Sequence, residues 1–140
     1  MPLPKAVKIS GQEINEVQNV EISISTPVGP RGDYEGRTHS AIVRLVRRAR
    51  NTPTVELFRK STNEDGRLEI IDGEIVLQNS ELKETYNFKM EEAYISEWEF
   101  TQPEEDDMLY EIVTLRVGKM TLSGGGDSKS FYVPEFNKHS

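Results

Sequence analysis

The sequence predicts a mainly β domain: a closed or nearly closed antiparallel β-barrel or sandwich, with one short helix and a long extended loop. Apolar residues recur at every second position along most of the chain, which is the period of a half-buried strand. Only one stretch carries a helix-start signature, and no strand–helix–strand alternation appears. At 140 residues the chain is one domain's length, and such a chain buries roughly two-thirds of its unfolded surface on folding.

Val20, Ile22 and Ile24 alternate with Glu21, Ser23 and Ser25 and read as a strand. A turn-rich excursion follows over 26–38, with Pro27, Gly29, Pro30 and Gly36; loops of that length inside a compact domain are usually functional or disordered. In the next strand Ala41, Val43 and Leu45 point one way, and Ile42, Arg44 and Val46 the other. Asn51-Thr52-Pro53 then offers a Thr N-cap and a Pro at the first helical position, with Val55, Leu57 and Phe58 on the apolar side and Ser61-Thr62-Asn63 at the end. Asp72-Gly73, between 68–71 and 74–77, reads as a hairpin turn, with Gly66 and Asn79 as further turn signals.

From Thr85 to Phe100 the pattern predicts a long strand bulged near Glu91-Glu92, with Tyr86, Phe88, Met90, Tyr94, Trp98 and Phe100 on an aromatic inner face. The turn-prone segment 101–107 joins it to a partner over 108–122 that is apolar on both parities: Met108, Tyr110 and Ile112 on one, and Leu109, Val113, Leu115 and Val117 on the other. A strand apolar on both faces needs cover on both, so Leu109, Val113, Leu115 and Val117 are candidates for an intersubunit strand. Gly124-Gly125-Gly126 reads as a flexible connection to a last strand, Phe131-Tyr132-Val133, before a polar tail over 134–140.

Composition narrows the function. With no cysteine there is no disulfide framework, thiolate nucleophile or cysteine-ligated metal. No apolar run reaches the length of a signal peptide or a membrane span, so the expectation is a chain folded in a cytosol, without direct membrane insertion, that leaves the cell only by a route needing no signal peptide. The formal net charge of -7 argues against nucleic acid as a partner. That average hides a segregation: Arg37, Arg44, Arg47, Arg48 and Arg50 follow one another with no acid between them, whereas nine acids from Glu91 to Glu111 stand without a Lys or Arg. Arg44, Arg47 and Arg48, with Glu104, Glu105 and Asp106, are therefore candidates for a charged assembly surface on which one copy meets the opposite charge of another.

No catalytic, cofactor or metal site is predicted. The only histidines are His39 and His139, at a strand start and in the tail, too few for a triad or for zinc. The acids fall in turns and on polar strand faces, where they stay ionised, and Glu104-Glu105-Asp106-Asp107 and Asn63-Glu64-Asp65 match no EF-hand loop. The triglycine lacks the Lys-Ser/Thr of a phosphate-binding loop, and Arg31-Gly32-Asp33 is a tripeptide of the kind turns supply by chance.

The order of parts resembles the Hcp tube proteins of the bacterial type VI secretion system over nearly the whole chain. The resemblance runs through Val7-Lys8-Ile9-Ser10-Gly11, the loop ending Gly36-Arg37-Thr38-His39, Ile42-Val43-Arg44-Leu45, the helix start Thr52-Pro53, and Glu111-Ile112-Val113-Thr114-Leu115. Its most specific stretch is Tyr86-Asn87-Phe88-Lys89-Met90-Glu91-Glu92-Ala93-Tyr94-Ile95-Ser96. A short helix, a rearranged 68–77 segment and the triglycine depart from the pattern.

What the resemblance implies is a barrel with one flanking helix that forms homohexameric rings. The rings stack head to tail into a tube inside a contractile sheath, with baseplate, spike and effector proteins as further partners. By position, Pro27, Gly29, Arg31, Asp33, Tyr34 and Arg37 then belong to the loop that reaches the next ring. A tail-tube subunit of a related contractile phage-like particle fits the same features. The rival reading is a monomeric barrel that binds a small ligand or glycan, with Trp98, Tyr94 and Phe100 lining a pocket; an enzyme ranks third for want of an acid–base constellation.

Overall fold

The computed structural model describes residues 5–25, 40–62, 69–79, 81–103 and 107–132. Among them run strands β1 (Lys5–Ile9), β2 (Gln12–Ile14), β3 (Val17–Ser25) and β4 (Ser40–Arg48), helix α1 (Asn51–Ser61), and strands β5 (Ile71–Asn79), β6 (Glu84–Thr101), β7 (Tyr110–Gly124) and β8 (Asp127–Tyr132). All pairings are antiparallel, in the order β2-β1-β5-β6-β7-β4-β3, with β8 also on β7. The predicted loop at 26–38 and tail at 134–140 lie outside the described residues.

No ladder joins β2 to β3 among the described residues, so the sheet is not closed by hydrogen bonds. Chain connectivity nevertheless rolls it. β2 and β3 stand at opposite ends of the strand order yet are joined by Asn15 and Glu16 alone, which allows about 11 Å from Ile14 to Val17. The two ends of the sheet therefore meet at a seam. Glu16, at φ 59, turns the chain there, and its carbonyl accepts the Arg48 amide at 3.0 Å. One core results: Val7, Ile9 and Ile14 from one wing and Val43 and Leu45 from the other are buried together with Ile75, Ile95 and Leu115.

Alternation places these side chains. In β4 Ala41, Val43, Leu45 and Arg47 are buried, while Ile42, Arg44, Val46 and Arg48 are half-buried on the outer face. In β7 Glu111, Val113, Leu115 and Val117 point inward. β6 shows the expected bulge at Glu91-Glu92, where its register with β5 slips and Glu92 takes φ 55. A second slip, against β7, falls at Ser96. Each bulge switches the inward parity. The inner face of β6 is thus Phe88, Met90, Ala93, Ile95 and Trp98 rather than one aromatic row, and Tyr94 lies on the outer side.

Two turn readings change. Asp72-Gly73 is not a hairpin: Ile71–Asn79 is one strand between β1 and β6. Glycine is needed at 73 for close packing, since a Cβ there would stand 2.6 Å from Met90 Cε and 2.9 Å from the Lys8 carbonyl oxygen. The turn into β6 comes later, where Asn79 Oδ1 accepts the amides of Glu81 and Leu82 at 3.0 and 3.2 Å. The triglycine is a tight hairpin rather than a linker, with Gly125 and Gly126 at φ 59 and 87 between β7 and β8.

Candidate functional site

Helix α1 lies against β6, fastened by apolar packing and by a buried polar cluster. Arg47 ends the inward row of β4 and Glu111 begins that of β7; the two are cross-strand partners, both 0% exposed. Arg47 Nη1 donates to Glu111 Oε1 at 2.5 Å and to Thr54 Oγ1 of α1 at 2.9 Å. Its Nε and Nη2 donate to the carbonyl and side-chain oxygens of Asn15 at 3.0 and 2.7 Å. Glu111 Oε1 also accepts from Thr54 Oγ1 at 3.2 Å, and Oε2 accepts from Trp98 Nε1. One buried ion pair thereby joins the seam, β4, β6, β7 and α1. A buried charge is tolerable only when paired and hydrogen-bonded in this way.

An aromatic cap covers the cluster. Phe58 meets Trp98 edge-on with ring centroids 4.9 Å apart, and Trp98 stacks on Phe100 at 5.5 Å. Leu57, 1% exposed, anchors the helix in the core, whereas Phe58 and Phe100 are 49% and 43% exposed. Tyr94, across the Ser96 bulge, lies on the other side of the sheet, so Trp98, Tyr94 and Phe100 do not line one pocket. A shallow depression of about 200 Å³ lies elsewhere, over Gly11, Gly73 and Glu74. Among the described residues no cluster of three or more metal-ligating side chains occurs, and no helix is long and apolar enough to cross a membrane.

The outer face of β6, β7 and β4 is organised by charge. Successive rows across these strands are Tyr94–Arg116–Ile42, Glu97–Thr114–Arg44 and Glu99–Ile112–Val46, followed by Thr101–Tyr110–Arg48. Glu97 and Glu99 are exposed on the β6 side, Arg44 and Arg48 lie on the β4 side, and Ile42, Val46 and Ile112 are half-buried between or beside them. Arg44 reaches Glu21 of β3 at 3.7 Å, in a solvent-facing pair of little energetic weight. Arg48, Glu97 and Glu99 have no ion pair or hydrogen-bonded side-chain partner among the described residues, and Nε of Arg48 is buried without an acceptor.

The residues singled out in the sequence divide accordingly. Arg44 and Arg48 lie on the outer face, but Arg47 is interior, because its parity on β4 is that of Val43 and Leu45. Val113, Leu115 and Val117 are 0–1% exposed in the chain's own core and cannot form an intersubunit surface; the outward parity of β7 is Tyr110, Ile112, Thr114 and Arg116, and Leu109 precedes the strand at 42% exposure. Glu104, Glu105 and Asp106, and the loop residues Pro27, Gly29, Arg31, Asp33, Tyr34 and Arg37, lie outside the described residues. Sequence reading missed the roles of Asn15, Thr54, Trp98 and Glu111. A signal existed in Arg47 and Glu111, charges that continue the apolar parity of their strands.

No family model and no curated protein matches the chain. Solved structures do. The Hcp1 protein of E. coli EAEC 042 superposes with a TM-score of 0.74 at 14% identity, over 94% of this chain and 99% of that one. Hcp1 of Flavobacterium johnsoniae gives 0.62 at 20% identity, over 91% and 98%. The sheath/tube terminator of an extracellular contractile injection system, PVC, gives 0.60 at 20% identity, over 88% and 97%. At these identities the likeness is one of architecture, and the chain has the fold of Hcp and of contractile-injection tube proteins.

Proposed function

We propose that this chain is a structural subunit of the inner tube of a type VI secretion or related contractile injection apparatus. The observation that carries the reading is the extent of the fold match: it spans nearly the full length of both partners, and the partners include Hcp proteins, a tube terminator and a sheath–tube complex. A β domain with half-exposed aromatics, an outer face divided by charge and no metal-ligating cluster among its described residues suits a building block.

On this reading the working unit is a ring of identical copies, a hexamer, stacked head to tail. Heterologous contacts that close give rings, and those that do not close extend into a filament. The tube is a passive conduit and projectile, and contraction of a surrounding sheath supplies the work. Sheath, cap, baseplate and effector proteins are its partners, and it assembles in the bacterial cytoplasm before the apparatus exports it. The rolled sheet and its buried ion-pair cluster give each subunit the rigidity that a projectile needs. Electron microscopy of the purified protein over a range of concentrations tests the proposal: rings or tubes are expected, and a strictly monomeric species at high concentration overturns it.

A further inference from the structure

The outer face of β6–β7–β4 carries Glu97, Glu99 and Arg48, charges without a partner among the described residues. Glu97 and Glu99 stand two strands away from Arg44 and Arg48, roughly 10 Å across the sheet at the usual interstrand spacing. The acids occupy two successive rows of β6 and the arginines two alternate outward positions of β4 with Val46 between them, while Thr114 and Ile112 of β7 separate the flanks. Of these four charges only Arg44 has an ion-pair partner among the described residues, and that pair is open to solvent. A face acidic on one flank and basic on the other complements itself, and no other molecule need be supplied to match it.

We propose that this face is a contact between copies, in which Glu97 and Glu99 of one copy meet Arg44 and Arg48 of the next. The proposal rests on the tube reading and names the surface that would serve it. Engaging one flank of each copy at a time makes the contact heterologous: one copy of a pair keeps its basic flank free and the other its acidic flank, so association propagates. Ile42, Val46 and Ile112, half-buried in the single chain, supply the apolar surface that the contact covers. The charges set register and orientation, and they make association weaken as salt rises.

The test reverses each flank separately. Glu97→Lys/Glu99→Lys leaves a copy with two basic flanks, and Arg44→Glu/Arg48→Glu one with two acidic flanks. Each alone is expected to need at least about tenfold more protein than the unmodified chain to assemble at low salt, by sedimentation velocity and electron microscopy. An equimolar mixture should assemble again, with the two variants alternating. Either variant assembling within about twofold of the unmodified chain, or a mixture no better than its components, overturns the proposal and leaves the tube reading standing. An unmodified chain that stays monomeric removes both. Should a reversed variant lose its far-ultraviolet circular dichroism, Glu97→Gln/Glu99→Gln and Arg44→Gln/Arg48→Gln take its place. These are expected to fold and to assemble with little salt dependence, and assembly as salt-sensitive as that of the unmodified chain overturns the proposal.

Discussion

Replacing Glu111 by glutamine keeps the shape of the side chain and removes one charge and one acceptor. Both carboxylate oxygens are in use: Oε1 takes Arg47 Nη1 and Thr54 Oγ1, and Oε2 takes Trp98 Nε1. Glutamine has a single oxygen, so its NH2 group must face either the Arg47 guanidinium or the indole N–H, donor against donor. Arg47, 0% exposed, would also lose its only ion-pair partner among the described residues. Breaking a buried pair from one side costs about 3–5 kcal/mol, a large share of the roughly 5–15 kcal/mol that holds a domain folded. With a urea dependence of about 1–3 kcal/mol/M, the unfolding midpoint should fall by roughly 2 M. Trp98→Phe, which removes one donor and leaves the ion pair intact, should cost only about 1–2 kcal/mol. The assay is urea unfolding followed by circular dichroism, at a protein concentration too low for association. A midpoint shift for Glu111→Gln no larger than that for Trp98→Phe would refute the view that charge compensation is what the cluster provides.

Gly73→Ala places a methyl against Met90 Cε and the Lys8 carbonyl oxygen, and the latter is ladder backbone that cannot step aside. Overpacking of this kind costs about 1–3 kcal/mol, a fall in Tm of about 3–12 °C, and an unchanged Tm would contradict the packing described. Glu69 is held below the ordinary glutamate range, first by the hydrogen bond from Lys60 at 2.8 Å, then, against the opposing effect of burial, by the charges of Lys60 and Arg59. A depressed carboxylate contributes stability above its unfolded pKa of about 4.3 and loses it as pH falls through the folded value. Glu69→Gln should therefore show a shallower loss of stability below about pH 4.3, by a small margin because the side chain is partly exposed, and equal slopes would refute the assignment.

The strand pattern was legible wherever one face is buried and the other wet. β4 follows its predicted alternation and β3 does so through Val20 and Ile22, though Ile24 is 51% exposed, and the pairing of β6 with β7 and the bulge at Glu91-Glu92 were both readable. Ser96 hid the second bulge, because a small polar residue among aromatics looks like an interruption of one face rather than a change of face. α1 ends at Ser61 as the polar run suggested; its start at Asn51, with Arg50 as N-cap, is earlier than the Thr-Pro pair implied. Gly73 read as a turn residue and Gly124 as part of a linker, because composition alone does not distinguish a glycine needed for φ from one needed for space. Arg47 and Glu111 misled for a related reason: charge argues for a surface, and only their parity with Leu45 and Val113 argues otherwise. Which parity of β7 faces outward could not be decided while both were apolar.

The seam at Asn15-Glu16 makes the first stretch of the chain behave as a clasp. β1 and β2 hold one lateral margin of the sheet through β5, and β3 holds the other through β4, so a single segment of covalent chain draws both margins together. Arg47, donating to both oxygens of Asn15, is where that clasp is pinned. A cut in the backbone at this point would remove no strand and no rung of any ladder, yet it would leave only core packing and the hydrogen bonds to Asn15 and Glu16 to hold the two margins together. Two residues thus convert a flat run of antiparallel strands into a shell with an inside.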